Sequence, residues 1–141
     1  MPEKKHNPFK LRDFLGVSSD QIARLEAIGV KTTTQMLSAG RTAEGRKKLA
    51  EKADVSQESV LELVKLSDLA RLPGVKGIRA RLYYAAGVDS VDKLASWEPE
   101  ALLMMTSEFV KSTGFPGIAP LPKEVSSTIA NARQLPKIVM W

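Results

Sequence analysis

From Gly16 onward the chain can be laid over itself. Gly16-Val17 matches Gly74-Val75, and Gly29-Val30 matches Gly87-Val88, at offsets of 74 − 16 = 58 and 87 − 29 = 58. Each second glycine is followed by a Thr or Ser (Thr32, Ser90), with an apolar residue four positions beyond it (Met36, Leu94). Further on, Val55 to Leu69 resembles Leu121 to Leu135, now at an offset of 135 − 69 = 66. The second copy therefore gains eight residues, and Thr113 to Pro120, with Gly114, Pro116, Gly117 and Pro120, is their place. Repetition at this length predicts a duplicated helical unit.

Helix signals fall in the same order in both copies. Ser18 with Gln21, and Thr32 with Gln35, have capping-box spacing, and Gly29 and Gly40 stand after them as stops. Thr42 and Ser56 cap two further segments, the second with an apolar face of Val60, Leu63, Val64 and Leu66 running to about Ala70. In the second copy Ser90 caps Val91 to Ser96, and Pro99 and Pro122 sit in first helical turns. Leu102, Met105 and Phe109, with Leu103 beside them, are the expected inward residues of the helix after Pro99; Val125, Ile129 and Ala132 are those of the last one. Phe9, Leu11, Phe14 and Leu15 suit a short helix packed on the first repeat. No segment alternates like a β-strand. The predicted fold is all-α, with nine or ten short helices whose stability comes from mutual packing. The expected divisions are a loose tail at 1–8, helical units at 9–70 and 71–135, and an extended apolar tail at 136–141.

Leu72-Pro73-Gly74-Val75-Lys76-Gly77 is the turn between two helices. Pro73 disfavours helix at Leu72, and Gly74 and Gly77 permit positive φ or close approach. Helix resumes near Ile78, with Ala80, Leu82, Tyr83 and Ala86 as its buried side. Arg71, Lys76, Arg79 and Arg81 surround the turn, and no acid lies between Asp68 and Asp89. A turn entering a helix leaves N–H groups unpaired, here those of Val75, Lys76, Gly77 and Ile78, and such a corner attracts anions. Arg71, Gly74, Val75, Lys76, Gly77, Ile78, Arg79 and Arg81 are therefore the candidate nucleic-acid-binding residues, contacting phosphates without reading sequence. The first copy has Ser18, Ser19, Asp20 and Gln21 at the positions of Lys76 to Arg79. Ser18 satisfies the amides there and Asp20 complements the dipole, so that hairpin reads as structural.

Leu72 to Leu94, with Pro99-Glu100-Ala101-Leu102 and Pro122 to Arg133, resembles the helix-hairpin-helix repertoire. It is most similar to the N-terminal helical domain of the recombinases and the five-helix modules of repair proteins, although the glycines Gly74 and Gly77 stand one residue further apart than the usual Gly-hydrophobic-Gly. Asp20 to Trp141 resembles a narrower group, a prokaryotic family of tandem helix-hairpin-helix proteins known as a domain of unknown function. The matching pieces are Gly45-Arg46-Lys47-Lys48-Leu49-Ala50, Ser67-Asp68-Leu69-Ala70-Arg71-Leu72, Ala86-Gly87-Val88-Asp89-Ser90-Val91 and Asn131-Ala132-Arg133-Gln134-Leu135-Pro136. The resemblance implies two hairpin units packed into one body and leaves activity open.

Lys and Arg number 21 against 16 Asp and Glu, a net charge of +5, which biases the chain mildly towards polyanions. Arg41, Arg46, Lys47, Lys48 and Lys52 form a second basic cluster; Arg41, Lys48 and Lys52 share a helical face, which reads as solvated. Beside the hairpin it would lengthen a phosphate track. Tyr83 and Tyr84 point about 100° apart on a helix, one inward and one outward beside Arg81. Catalysis is not expected, and neither is a metal or cofactor. There is no cysteine, the lone His6 lies in the tail, and no metal-ligand spacing or glycine-rich nucleotide loop is present. The start lacks an apolar leader and no run approaches the roughly 18 apolar residues of a membrane span, so a cytoplasmic location is expected. Two functions compete. One is a non-catalytic module contacting nucleic-acid phosphates through the second hairpin. The other is a protein-interaction adaptor using an apolar groove, with Leu103, Met104 and Met105 as candidates for it, or the tail Ile138-Val139-Met140-Trp141.

Overall fold

Helices begin where the capping residues stand in the computed structural model, which describes residues 9–141. The segment 1–8, with His6, lies outside the described residues. A 3-10 turn at Leu11–Asp13 precedes α1 (Ser19–Ala27), α2 (Thr33–Ala39), α3 (Ala43–Ala53) and α4 (Gln57–Leu69). Then come α5 (Gly77–Ala85), α6 (Val91–Ser96), α7 (Pro99–Thr113) and α8 (Pro122–Gln134). The side-chain oxygens of Ser18, Thr32, Thr42, Ser56 and Ser90 each accept the N–H three residues on. Such caps stabilise a helix by about 1 kcal/mol each. Thr32 and Gln35 complete the reciprocal box, and Pro99 and Pro122 open α7 and α8. Gly29 and Gly87, 58 positions apart, come after α1 and α5 with φ of +90° and +93°.

The fold is all-α, but the described residues hold eight α-helices and one 3-10 turn rather than nine or ten helices. The difference lies at Phe9–Leu15. Only Leu11–Asp13 turns, because residues 9–11 pair with 31–33 instead: Leu11 N–H donates to Lys31 O (2.9 Å) and Thr33 N–H to Phe9 O (2.8 Å). The tail 136–141 forms no helix and pairs in no strand ladder. Val139 is buried and Met140 N–H donates to Arg41 O (2.8 Å).

The core forms around α4, which packs against α2, α3 and α5. Its Val60, Leu63, Val64, Leu66 and Leu69 are all buried. α8 carries α6 and α7, and one continuous apolar cluster joins both halves, from Leu11 and Phe14 to Ala132 and Val139. On α7 the expectation is half met. Leu102 is buried, but Leu103, Met105 and Phe109 are only half-buried, and Thr106 is the second fully covered residue. Thr106 is tolerated there because its hydroxyl donates to the carbonyls of Leu102 and Leu103. α7 has its main packing partner in α8 alone, which covers one narrow stripe.

The turn before α5 is tight. Val75 N–H donates to Leu72 O (3.1 Å), with Pro73 second and Gly74 third at φ +81°, the type II arrangement. Gly77 serves a different end. A Cβ there would collide with the carbonyl oxygen of Asp13 and come within 3.2 Å of the Phe9 ring. Gly77→Ala should therefore cost about 2–3 kcal/mol by overpacking. Gly74→Ala, which meets nothing within 4 Å, should cost about 1 kcal/mol for its left-handed backbone alone. Urea unfolding of the two variants checks the order; an equal or smaller loss at Gly77 would show that residues 9–13 do not sit against α5.

Candidate functional site

The second hairpin brings Arg71, Gly74, Val75, Lys76, Gly77, Ile78, Arg79 and Arg81 around one corner, but most of its cations face inward partners. Arg71 donates to Asp68 Oδ1 (2.7 Å) and to Pro136 O (2.6 Å). Arg79 makes a two-pronged pair with Glu124, 2.6 and 3.3 Å, and donates to Ile118 O at 2.7 Å. Arg81 donates to Leu15 O (2.6 Å), and its Nη2 lies 2.7 Å from Glu62 Oε2, an ion pair without hydrogen-bond alignment. Its guanidinium also lies over the half-exposed Tyr84 ring, 5.3 Å from the centroid, while Tyr83 is fully buried. Lys76 alone of the four is exposed and makes no ion pair among the described residues. Val75 and Gly77 are buried, Ile78 is half-exposed, and residues 9–16 lie over the start of α5.

Of the N–H groups expected to be unpaired there, that of Val75 is taken by Leu72 O, which closes the turn; the start of α5 is nevertheless distinctive. Of the eight described α-helices, α5 alone has neither a side-chain cap nor a first-turn proline. The first hairpin differs as its sequence requires, since Ser18 Oγ accepts Gln21 N–H (3.3 Å).

The pattern at the corner recurs through the molecule. Of eight arginines, six donate to main-chain carbonyls. Besides Arg71, Arg79 and Arg81, Arg24 reaches Asp54 O, Arg46 reaches Gly40 O and Met140 O, and Arg133 reaches Ala95 O and Trp97 O. Arginine's planar fork suits this work, because short helices leave many terminal carbonyls without a partner.

The basic cluster of α3 divides. Lys47, Lys48 and Lys52 are exposed, as a solvated face requires. Arg41 borders a cleft with Arg71 and Lys137, so one end of the cluster does lie beside the hairpin region. Arg46 departs from the expectation altogether, being buried at 8% exposure. Its spacing held the signal: Arg46, Leu49, Ala50 and Ala53 are positions i, i+3, i+4 and i+7 of one face. Near it, Asp89 binds Lys65 (2.6 Å) and Lys93 (2.9 Å). No local pattern couples Lys65 to Asp89.

A second candidate surface lies between the starts of α7 and α8. A groove of about 760 Å³ is lined by Leu103, Met104 and Pro122, with Glu98 and Glu100 at its edge. Met104 is 73% exposed, and Leu121, next to Pro122, is 70% exposed; Ile118 of the same loop reaches 84%. No group of three or more metal-binding side chains converges among the described residues, and no described helix is long and apolar enough to cross a membrane.

The model of one family, Domain of unknown function (DUF4332), matches residues 15–135. The chain belongs to this family. The match takes in every α-helix of this DUF4332 domain and leaves outside it the 3-10 turn and the tail that packs on α3. No curated protein and no solved structure matches the chain.

Two carboxylates, Asp68 and Asp89, are shifted to opposite sides of their usual value. Burial pushes Asp68 above its usual value, against the pull of Arg71. At Asp89 burial also pushes upward, but the hydrogen bond from Lys65 and the positive charge of Lys65 and Lys93 outweigh it and hold the carboxyl below its usual value. An acid with a depressed folded pKa adds stability that is complete above its unfolded value, about 4, and is lost as pH falls through the folded value. Asp89→Asn should accordingly remove about 1–2 kcal/mol at pH 7 and flatten that part of the acid limb. Chemical unfolding at pH 3 to 7 tests this, and unchanged stability at pH 7 contradicts it.

Proposed function

We propose that this chain is a non-catalytic interaction module whose groove between α7 and α8 holds a basic amphipathic segment of a partner protein. The observation that carries this reading is the exposure of Met104 in a groove it lines with half-buried Leu103 and Pro122, and of Leu121 next to Pro122 in the chain. Large apolar side chains gathered at a groove and rimmed by polar groups mark partner surfaces. Glu98 and Glu100 make no ion pair among the described residues, so the rim favours a partner with lysine or arginine flanking its apolar face. A helix laid into such a groove anchors through residues at i, i+3 and i+4.

A second reading keeps the corner at α5 as a phosphate contact in a tandem helix-hairpin-helix protein, similar to the recombinase N-terminal helical domain. It is favoured by the uncapped start of α5 and by the exposed Lys76. It is weakened by the carboxylates that hold Arg71, Arg79 and Arg81. One lysine and a few amides give few phosphate contacts, and binding of that kind fades quickly with salt.

One set of titrations separates the two. A labelled amphipathic peptide of leucine and lysine should bind the full chain, and Met104→Ser with Leu121→Ser should weaken it roughly tenfold by removing buried apolar area. Glu98→Gln with Glu100→Gln should reduce its salt dependence. No binding at low salt, or binding indifferent to both double variants, overturns the groove. Labelled duplex and single-stranded DNA and RNA, titrated at low and moderate salt, should show no binding that Lys76→Glu abolishes; if they do show it, the phosphate reading replaces the first.

A further inference from the structure

Arg46 is a buried cation without an anion. Its Nη1 donates to Gly40 O (3.0 Å) and Met140 O (3.1 Å), and among the described residues no carboxylate lies within ion-pair distance. Its Nε and Nη2 have no hydrogen-bond partner yet are not closed off from solvent, and partial burial lowers its affinity for the proton. Two carbonyls answer one nitrogen of a group with five N–H donors. Arg46 also borders an open cavity of about 490 Å³, within the range that takes small organic ligands.

The same cavity is lined by Lys65 and Lys93, which share Asp89, and by Trp141. Trp141 is 43% exposed as a residue. Its ring centroid lies 5.7 Å from the Arg46 guanidinium and 5.8 Å from Lys65 Nζ. Leu61 adds an apolar wall, and Glu58 is the one other acid. Among the lining side chains three cations thus face two carboxylates, and Asp89 is committed to the lysines. The cations sit beside the flat ring of Trp141.

We propose that this cavity binds a phosphate monoester carried on a flat ring, the chemistry of a mononucleotide or of a phosphorylated strand end. Arg46 and Lys93 hold phosphate oxygens, and the Trp141 indole takes the ring. A phosphate monoester brings close to two negative charges and three acceptor oxygens, which suits donors arriving from several sides. A single carboxylate would duplicate what Asp89 already supplies. Base rings stack on aromatic side chains whatever their sequence. The site does not depend on the groove between α7 and α8.

The chain has two tryptophans, so Trp97 is an internal control. In nitrogen-15 spectra of the full chain, AMP should move the indole N–H signal of Trp141 and leave that of Trp97 in place. Inorganic phosphate and adenosine, each lacking half of the ligand, should bind at least roughly tenfold more weakly than AMP. Lys93→Ala should weaken AMP roughly tenfold, the worth of one charge-assisted hydrogen bond. Asp89→Asn should tighten it, because it removes a competing carboxylate while leaving both lysines; a merely structural aspartate would not do so. A 5′-phosphorylated trinucleotide run beside AMP tells the two sources apart: tighter trinucleotide binding assigns the strand end, and equal or weaker binding the free nucleotide. No movement of Trp141 at millimolar AMP, equal movement of both indoles, or indifference to Lys93→Ala and Asp89→Asn together overturns the site. Inorganic phosphate binding as tightly as AMP overturns the ring's part in it.

Discussion

Guanidinium groups bound to main-chain carbonyls hold this molecule together at its joints. The eight short helices of the described residues have many ends, and the last carbonyls of every helix lack an intrahelical partner. Glycine turns satisfy some of them. Arginine satisfies others across the fold: Arg24 at the end of α3, Arg46 at the end of α2, Arg133 at the end of α6. Three more serve the loops around α5, where Arg81 meets Leu15, Arg79 meets Ile118 and Arg71 meets Pro136. Positive charge near a helix C-terminus is favourable in its own right. Each bridge therefore satisfies a polar group and fixes the distance between two segments.

The consequence for function is a change in what the charge balance means. A net charge of +5 with arginines clustered at a turn reads as an electrostatic footprint. Once those arginines are tied to carbonyls and to Asp68, Glu62 and Glu124, the remaining surface charge is mostly dispersed lysine. What stands out instead is surface that the bundle leaves uncovered: the apolar rim of the groove between α7 and α8, and the cavity beside Arg46 and Trp141. Both border segments with little packing of their own. α7 leans on α8, and the tail that delivers Trp141 is held by Val139, one hydrogen bond from Met140 and the carbonyl that Arg46 engages.

The turns at Gly16 and Gly74 show how similar backbones acquire different surroundings. Gly16 and Gly74 share φ of +81°, and α1 and α5 both begin three residues later. Yet α1 is capped by its own serine, while α5 is covered by residues 9–16 reaching across from the other half. Gly77 is small because Asp13 needs the space, a steric reason; Gly74 is glycine because its φ is positive, a conformational one.

The amino-acid sequence alone determined the helices, their caps, the glycine stops and the long loop after α7, because each depends on residues three or four apart. Ser18, Thr32, Thr42, Ser56, Ser90, Pro99 and Pro122 stand where those local rules place them. It also singled out the hairpin corner, but not which of its charges stay free. Tertiary structure decided most of that, since Glu124 lies 45 positions from Arg79 and Glu62 lies 81 − 62 = 19 from Arg81, whereas Asp68 is only three from Arg71; Arg46 meets Met140 across 94. A side chain's periodicity tells which face of a helix it occupies. Whether that face meets water, a carbonyl or a carboxylate depends on the segment packed against it, and distant pairings of that kind leave no local pattern to read.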